Sequence, residues 1–198
     1  MSGPASTRKP ATYEDLCKAP EHKIAEIIDG ELIVSPRPAP AHVVTSSVLG
    51  AELLNPFQRG RGGPGGWWIL DEPELHLGSD VLVPDLAGWR RSRLPAMPKT
   101  SYFELSPDWA CEIVSPSSVR VDRIRKLRIY AREGVPHAWI VDPLRRTLEV
   151  FTLQAGVYAL TDAFEGDGNV KAPPFDAIEL ELLALWGGER EVPPPEGT

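Results

Sequence analysis

A strand pattern, a helix pattern and a second strand pattern follow one another in the middle of the chain, and this succession constrains the fold most. Residues 109–114 are apolar except for one acid, which predicts a buried strand. Residues 121–133 predict a helix, and Gly134 follows it with the backbone freedom at which helices commonly end. Residues 138–141 predict the next strand. Helices that alternate with strands are typical of an α/β fold with a mixed sheet.

Further elements surround this central unit. Asp29-Gly30 lies between two short apolar runs and favours a type I′ turn, so we predict an N-terminal hairpin of strands 25–28 and 31–34. Thr12 and Asp15 have the spacing of a capping box, which predicts a helix at 13–18. The other predicted elements are a helix at 42–54, strands at 67–70 and 81–89, a hairpin of 147–153 and 157–160, and a final apolar segment at 178–185. We therefore expect one domain over residues 12–186, with a disordered leader at 1–11 and a flexible tail at 187–198.

Hydropathy and cysteine usage exclude several protein classes. No stretch approaches the roughly 20 apolar residues that a membrane helix needs, so no membrane partner is expected. The first ten residues carry charges but no apolar run after them, which argues against a signal peptide and predicts a cytoplasmic protein. Cys17 and Cys111 are far apart in the chain, so we expect reduced thiols and no cysteine-based zinc site.

Charge is unevenly distributed along the chain. The net charge of −7 argues against non-specific nucleic-acid binding, which depends on basic surfaces. The middle of the chain is nevertheless locally basic. Its basic residues are Arg90, Arg91 and Arg93 in one group and Arg120, Arg123, Arg125, Lys126, Arg128 and Arg132 in another. A glycine-rich segment at 59–66 lacks the lysine of a phosphate-binding P-loop, so a flexible connector is the favoured interpretation.

Two apolar runs each enclose a single carboxylate. Asp85 lies in the run 81–87 and Glu112 in the run 109–114. An ionised carboxylate that leaves water is costly unless it is paired, hydrogen-bonded or bound to a metal. Each acid could instead point outward from a strand with one solvated face. If the two strands are neighbours, the pair of acids would suit Mg²⁺, which is held by one or two carboxylates and keeps several waters.

Other candidate groups have ordinary structural explanations. Lys126 lies four residues after Asp122, which is the spacing of a surface ion pair on a helix. Glu26 could face solvent from its strand. The four histidines lack the spacing of a zinc site, and the chain contains no GxSxG nucleophile motif.

An ordered set of segments resembles one known family over most of the chain. The segments are EIIDGEL at 26–32, VPDL at 83–86, CEIVSPS at 111–117, Asp122 through Lys126 to Tyr130, GVP at 134–136 and WIVDP at 139–143. Together they resemble the Uma-type putative restriction endonuclease family, a bacterial branch of the PD-(D/E)XK nuclease superfamily. This resemblance implies a restriction-endonuclease-like mixed central sheet flanked by helices, with an added N-terminal hairpin.

The resemblance also implies roles for individual residues. Asp85 and Glu112 match the motif acids and would hold Mg²⁺ or Mn²⁺. Lys126 matches a lysine that this family places on the following helix, and Glu26 matches an N-terminal acid counted with the site. The chain departs from the superfamily at Val114, where a lysine usually stands two residues after the acid. Catalysis then depends on Lys126 reaching the same space.

Two functions remain open from the sequence. The first is a metal-dependent endonuclease that hydrolyses phosphodiester bonds in DNA, with Arg123 and Arg125 contacting substrate phosphates. The second is a nuclease-fold protein with little or no catalysis that acts as a binding or interaction module, as the net charge and Val114 favour. A homodimer is compatible with either function, because nucleases that cut two strands are commonly dimers.

Overall fold

A mixed six-stranded sheet forms the centre of the protein, and short helices cover it. The computed structural model describes residues 9–116 and 118–189, so most of the predicted leader and tail lie outside the described residues. The elements are α1 (Tyr13–Cys17), β1 (Ile24–Ile28), β2 (Glu31–Ser35), α2 (Pro40–Leu53), β3 (Trp67–Asp71), β4 (Leu75–Leu77), β5 (Asp80–Leu82), β6 (Leu86–Arg90), β7 (Trp109–Ile113), α3 (Leu127–Arg132), β8 (His137–Asp142), β9 (Thr147–Gln154), β10 (Val157–Glu165), β11 (Asn169–Val170), β12 (Leu180–Glu181) and α4 (Leu182–Leu185).

The central sheet has the strand order β10-β9-β8-β7-β6-β3. Strands β7 and β8 are parallel, because the α3 segment connects them, and every other neighbouring pair in this sheet is antiparallel. One face packs against α2 and α4 through an apolar cluster that includes Leu49, Trp109 and Leu185. The opposite face packs against α3 through a second cluster that includes Tyr130 and Ile140. The predicted mixed α/β fold is confirmed.

The N-terminal hairpin belongs to a second, smaller sheet of order β2-β1-β5-β4. Its turn has φ of 52° at Asp29 and 74° at Gly30, the two positive values that a type I′ turn requires. Helix α1 begins at the predicted capping box, in which Thr12 and Asp15 exchange side-chain and backbone hydrogen bonds. Both predictions are therefore confirmed.

The single strand predicted at 81–89 is wrong. The strand is interrupted at residues 83–85. As a result, β5 belongs to the hairpin sheet and β6 to the central sheet. Pro84 has no N–H to donate to a strand ladder, and the N–H of Val83 donates to the Glu26 carboxylate instead. Because of this break, Asp85 stands at the junction between the two sheets.

The helix predicted at 121–133 begins with a wide π-helical segment, Val121–Lys126, and continues as α3. Within that segment Asp122 and Lys126 are both buried, while Ile124 is exposed. Wide turns of this kind often occur at functional sites, because they rotate side chains relative to an ordinary helix. The segment therefore directs a charged side chain into the protein interior.

Among the helices that the structure describes, none is long and apolar enough to cross a membrane.

Candidate active site

Asp85 and Glu112 come together at the junction of the two sheets. Leu86 pairs with Cys111 in the antiparallel β6–β7 ladder. Asp85 precedes Leu86 and Glu112 follows Cys111, so these two acids stand opposite each other. The Ile113 N–H donates to Asp85 Oδ2 at 2.6 Å. The Asp85 side chain is 15% exposed, whereas that of Glu112 is 3% exposed. Asp85 thus lies at the mouth of the site and Glu112 lies inside it.

Lys126 reaches this site from the helical segment. Its Nζ lies 2.8 Å from Glu26 Oε1, 3.0 Å from Glu112 Oε2 and 3.6 Å from Asp122 Oδ1. It also donates to the Val83 carbonyl at 3.3 Å. The interpretation of Lys126 and Asp122 as a surface ion pair is wrong, because both side chains are about 5% exposed. The lysine instead joins three carboxylates from three segments of the chain.

Glu26 occupies the middle of β1 and faces inward. One of its oxygens accepts both the Val83 N–H, at 2.8 Å, and the ammonium group of Lys126. The alternative in which Glu26 faces solvent is wrong, since the residue is only 5% exposed. The hairpin therefore contributes a carboxylate to the site. The same carboxylate also fixes the backbone between β5 and β6, beside Asp85, through the Val83 N–H.

Sequence reasoning missed two residues of the site, His42 and Tyr130. His42, in the first turn of α2, places its Nε2 2.6 Å from Asp85 Oδ1. The Tyr130 hydroxyl donates to Glu112 Oε1 at 2.5 Å. Tyr130 was part of the family resemblance but was given no role. His42 carried no sequence signal, because its partner lies 43 residues away along the chain.

The site carries surplus negative charge. Glu112, Glu26 and Asp122 contact one lysine, and Asp85 stands opposite Glu112, so the carboxylates outnumber the ammonium group and the cleft is not electropositive. Burial lowers the pKa of Lys126, but Glu112, Glu26 and Asp122 outweigh burial and raise it well above its ordinary value. The lysine is therefore protonated at neutral pH.

Burial opposes the ionisation of Glu112. Burial raises its pKa well above the ordinary value; Lys126 opposes this shift, while Asp122, Asp85 and Glu26 add to it. Burial also raises the pKa of Asp122. Because one lysine cannot neutralise four carboxylates, the site favours a further positive charge, either a proton or a cation.

The donor set fits a hard divalent cation of the Mg²⁺ type. Carboxylate oxygens are the ligands that Mg²⁺ prefers, and it needs only one or two of them because it retains water. No group of three or more His, Cys, Asp or Glu side chains that could by itself enclose an ion occurs in residues 9–116 and 118–189. An all-protein cage of the calcium or zinc type is therefore not formed by these residues, while a water-rich site on Asp85 and Glu112 suits the chemistry of the donors.

Arg123 and Arg125, which were predicted to contact phosphates, both face carboxylates. Arg123 donates to Glu149. Arg125 bonds Glu31 at 2.8 Å and Asp29 at 3.2 Å, which ties the helical segment to the hairpin turn. A role for them in substrate binding stays a prediction, and it would require these ion pairs to open.

Val114 occupies the position where the superfamily lysine usually stands. It is 2% exposed and belongs to the apolar cluster beneath the site, with its N–H donating to Val141. No charged group could enter that space without losing its hydration. The ammonium group at this site therefore comes from the helical segment and not from β7.

Comparisons with known proteins agree with this architecture. The sequence matches the Uma2 family, described as putative restriction endonuclease, over residues 10–184. The structure is similar to the crystal structure of a putative nuclease belonging to DUF820 from Anabaena variabilis, with a TM-score of 0.71 and 25% sequence identity. That similarity covers 90% of this chain and 98% of the Anabaena protein. No curated protein matches the chain.

Proposed function

Because the chain belongs to the Uma2 putative restriction endonuclease family, we propose that it is a metal-dependent endonuclease that hydrolyses phosphodiester bonds in DNA. Family membership and the fold shared with the Anabaena protein support nuclease function. Metal dependence and the DNA substrate are the proposal's own additions. They rest on the chemistry of the carboxylate cluster and on the Lys126 ammonium group that it contacts.

The observation that carries the proposal is the position of Lys126. Its ammonium group lies 3.0 Å from Glu112, which stands opposite Asp85 on the neighbouring strand. A lysine from the helical segment thus supplies the positive charge that is missing at Val114, directly after β7. A buried ammonium group beside two acids can stabilise the negative charge that develops on a phosphate under attack.

Asp85 and Glu112 would hold Mg²⁺ or Mn²⁺ in this proposal. Such an ion, when bound, polarises a phosphate oxygen and lowers the pKa of a water bound to it. Asp85 is the ligand nearer to solvent, and Glu112 holds the inner position.

Three other side chains act on these acids. His42 positions Asp85 from α2, and Tyr130 positions Glu112 from α3, each through one hydrogen-bonding contact. Glu26 holds the Lys126 ammonium group and fixes the strand break through the Val83 N–H. Groups that orient the carboxylates of a metal site in this way strongly influence its affinity.

A calorimetric Mn²⁺ titration tests the metal site without any assumption about the substrate. We expect saturable binding by the wild type and its loss in both Asp85→Asn and Glu112→Gln. Lys171→Ala, which replaces an exposed lysine elsewhere, should bind as the wild type does. Equal heats from the wild type and both site variants would contradict a metal site formed by the free protein.

The same titration should depend on pH. A metal ligand must be deprotonated, and the pKa of Glu112 lies well above its ordinary value of 4.5 because the group is buried. Mn²⁺ affinity should therefore still increase with pH above 4.5, because Glu112 continues to lose its proton there. An ordinary glutamate is already mostly ionised above that pH. An affinity that does not change with pH above 4.5 would show that Glu112 is not a ligand.

A second candidate function is a binding module without catalysis. It is favoured by the closed ion-pair cluster, in which both oxygens of Glu112 already have hydrogen-bond partners. Metal binding with no cleavage of DNA or RNA in either single- or double-stranded form would support this function. Assembly as a homodimer stays a prediction under both functions.

A further inference from the structure

Two 18-residue segments of this acidic protein each contain two or more basic residues and no acids. They are residues 53–70 and 86–103, and their basic residues are Arg59, Arg61, Arg90, Arg91, Arg93 and Lys99. The first of them contains the glycine-rich stretch 59–66, whose sequence favours a flexible connector.

The structure brings these two segments side by side. Strands β3 and β6 are antiparallel neighbours, and Trp67 pairs with Arg90 at one end of the ladder. The Arg91 N–H donates to the Gly66 carbonyl, and its guanidinium donates to the carbonyls of Gln58 and Trp67. The two ends of the glycine-rich segment are thus attached to Arg91, which directly follows β6, and Arg59 is the residue next to Gln58.

Most of the guanidinium groups here have no carboxylate partner. Within the part of the chain that the structure describes, Arg59, Arg61 and Arg90 form no ion pair, and all three are exposed. Arg91 stacks on the Trp68 ring at 3.7 Å, which holds its planar group in place. We call Arg59, Arg61, Arg90 and Arg91 the basic patch. It differs from Arg123 and Arg125, whose charges are already neutralised by neighbouring acids.

A groove of about 230 Å³ lies between α2 and the neighbouring strands β3 and β6. Small residues of α2 line one side (Ser46, Ser47, Gly50 and Ala51), and Asp71 and Leu86 line the sheet side. Helix α2 begins beside Asp85 through His42, and the wide turn Leu54–Gln58 that follows it leads to Arg59. The groove therefore lies beside the part of α2 between His42, at the site, and the turn that precedes Arg59.

We propose that the basic patch and this groove bind the phosphate backbone of a nucleic-acid strand whose scissile bond lies at Asp85 and Glu112. This inference rests on the proposed function and adds the surface that positions the substrate. The four steps between the five residues Leu86–Arg90 span about 14 Å at roughly 3.4 Å per step. That length corresponds to about four nucleotide steps of one B-DNA strand. The small side chains of α2 allow the backbone to approach the helix closely.

Binding of fluorescein-labelled oligonucleotides in EDTA tests the surface without cleavage. The patch variant is Arg59→Glu/Arg61→Glu, and the matched variant is Arg120→Glu/Arg128→Glu, which makes the same charge change on exposed arginines of the rival helical surface. Fluorescence anisotropy is measured over a series of salt concentrations for duplex DNA, single-stranded DNA and single-stranded RNA of one sequence. Urea unfolding confirms that both variants fold.

We expect the patch variant to bind at least about tenfold more weakly, with a salt dependence reduced by about 0.9 in log–log slope per lost phosphate contact on duplex DNA. The matched variant should show a smaller change than the patch variant in both the affinity and the slope of the salt dependence. Wild-type affinity in the patch variant, a loss confined to the helical variant, or no binding by the wild type would each overturn the proposal. Binding that depends on the patch in a protein that cuts nothing would support the surface and contradict the nuclease.

Discussion

Replacing Lys126 by methionine should lower the free energy of unfolding by about 3–5 kcal/mol, the largest stability effect that we expect from a single substitution in this protein. Methionine fills a similar volume, so the loss comes from charge and not from a cavity. Glu112, Glu26 and Asp122 would remain buried without the cation that they share. Urea unfolding monitored by tryptophan fluorescence measures the change.

Two further variants separate this explanation from a general loss of packing. Lys171→Met removes an exposed lysine and should change stability by less than about 0.5 kcal/mol. The triple variant Lys126→Met/Glu26→Gln/Glu112→Gln should recover part of the lost free energy of unfolding. Neutral amides replace two of the buried carboxylates, so the charge repulsion among these groups is reduced. A triple variant no more stable than Lys126→Met alone would show that the carboxylate charges are not the cause.

Asp85→Asn and Glu112→Gln should each reduce metal-dependent cleavage of DNA by on the order of 10³. An ion at such a site contributes several kcal/mol of transition-state stabilisation, and each 1.4 kcal/mol is a factor of ten in rate. The amide of either variant keeps the shape of the side chain but is a poorer metal ligand. Single-turnover cleavage of a labelled duplex, with and without Mn²⁺, measures the effect.

Glu149→Gln provides the matched control for these rates. Glu149 is a partly buried carboxylate on β9 that pairs with Arg123, outside the proposed metal ligands. Its neutral variant retains both proposed metal ligands and should therefore keep the dependence of cleavage on Mn²⁺ that the wild type shows, even if the released Arg123 changes substrate binding. Site variants that keep the wild-type rate would exclude Asp85 and Glu112 as ligands of a catalytic ion.

Local patterns were sufficient for the elements that depend on local physics. The Asp29-Gly30 turn, the Thr12 capping box and the hairpin 147–160 follow from backbone preferences of a few adjacent residues, and the structure confirms each of them. The strand break at Pro84 was missed because apolar character continues across it. Only the hydrogen bond from Val83 to Glu26, 57 residues away, shows where the chain leaves one sheet for the other.

The sequence by itself determined which acids are unusual and which family the protein resembles. Asp85 and Glu112 stand out in apolar runs, because an unpaired carboxylate is costly away from water. Only the tertiary structure decided how these groups are neutralised and positioned. The wide helical segment turns Lys126 inward, the hairpin brings Glu26 to it, and α2 brings His42 to Asp85. These contacts join residues far apart in the chain, and their distances depend on how the two sheets pack, which no local pattern encodes.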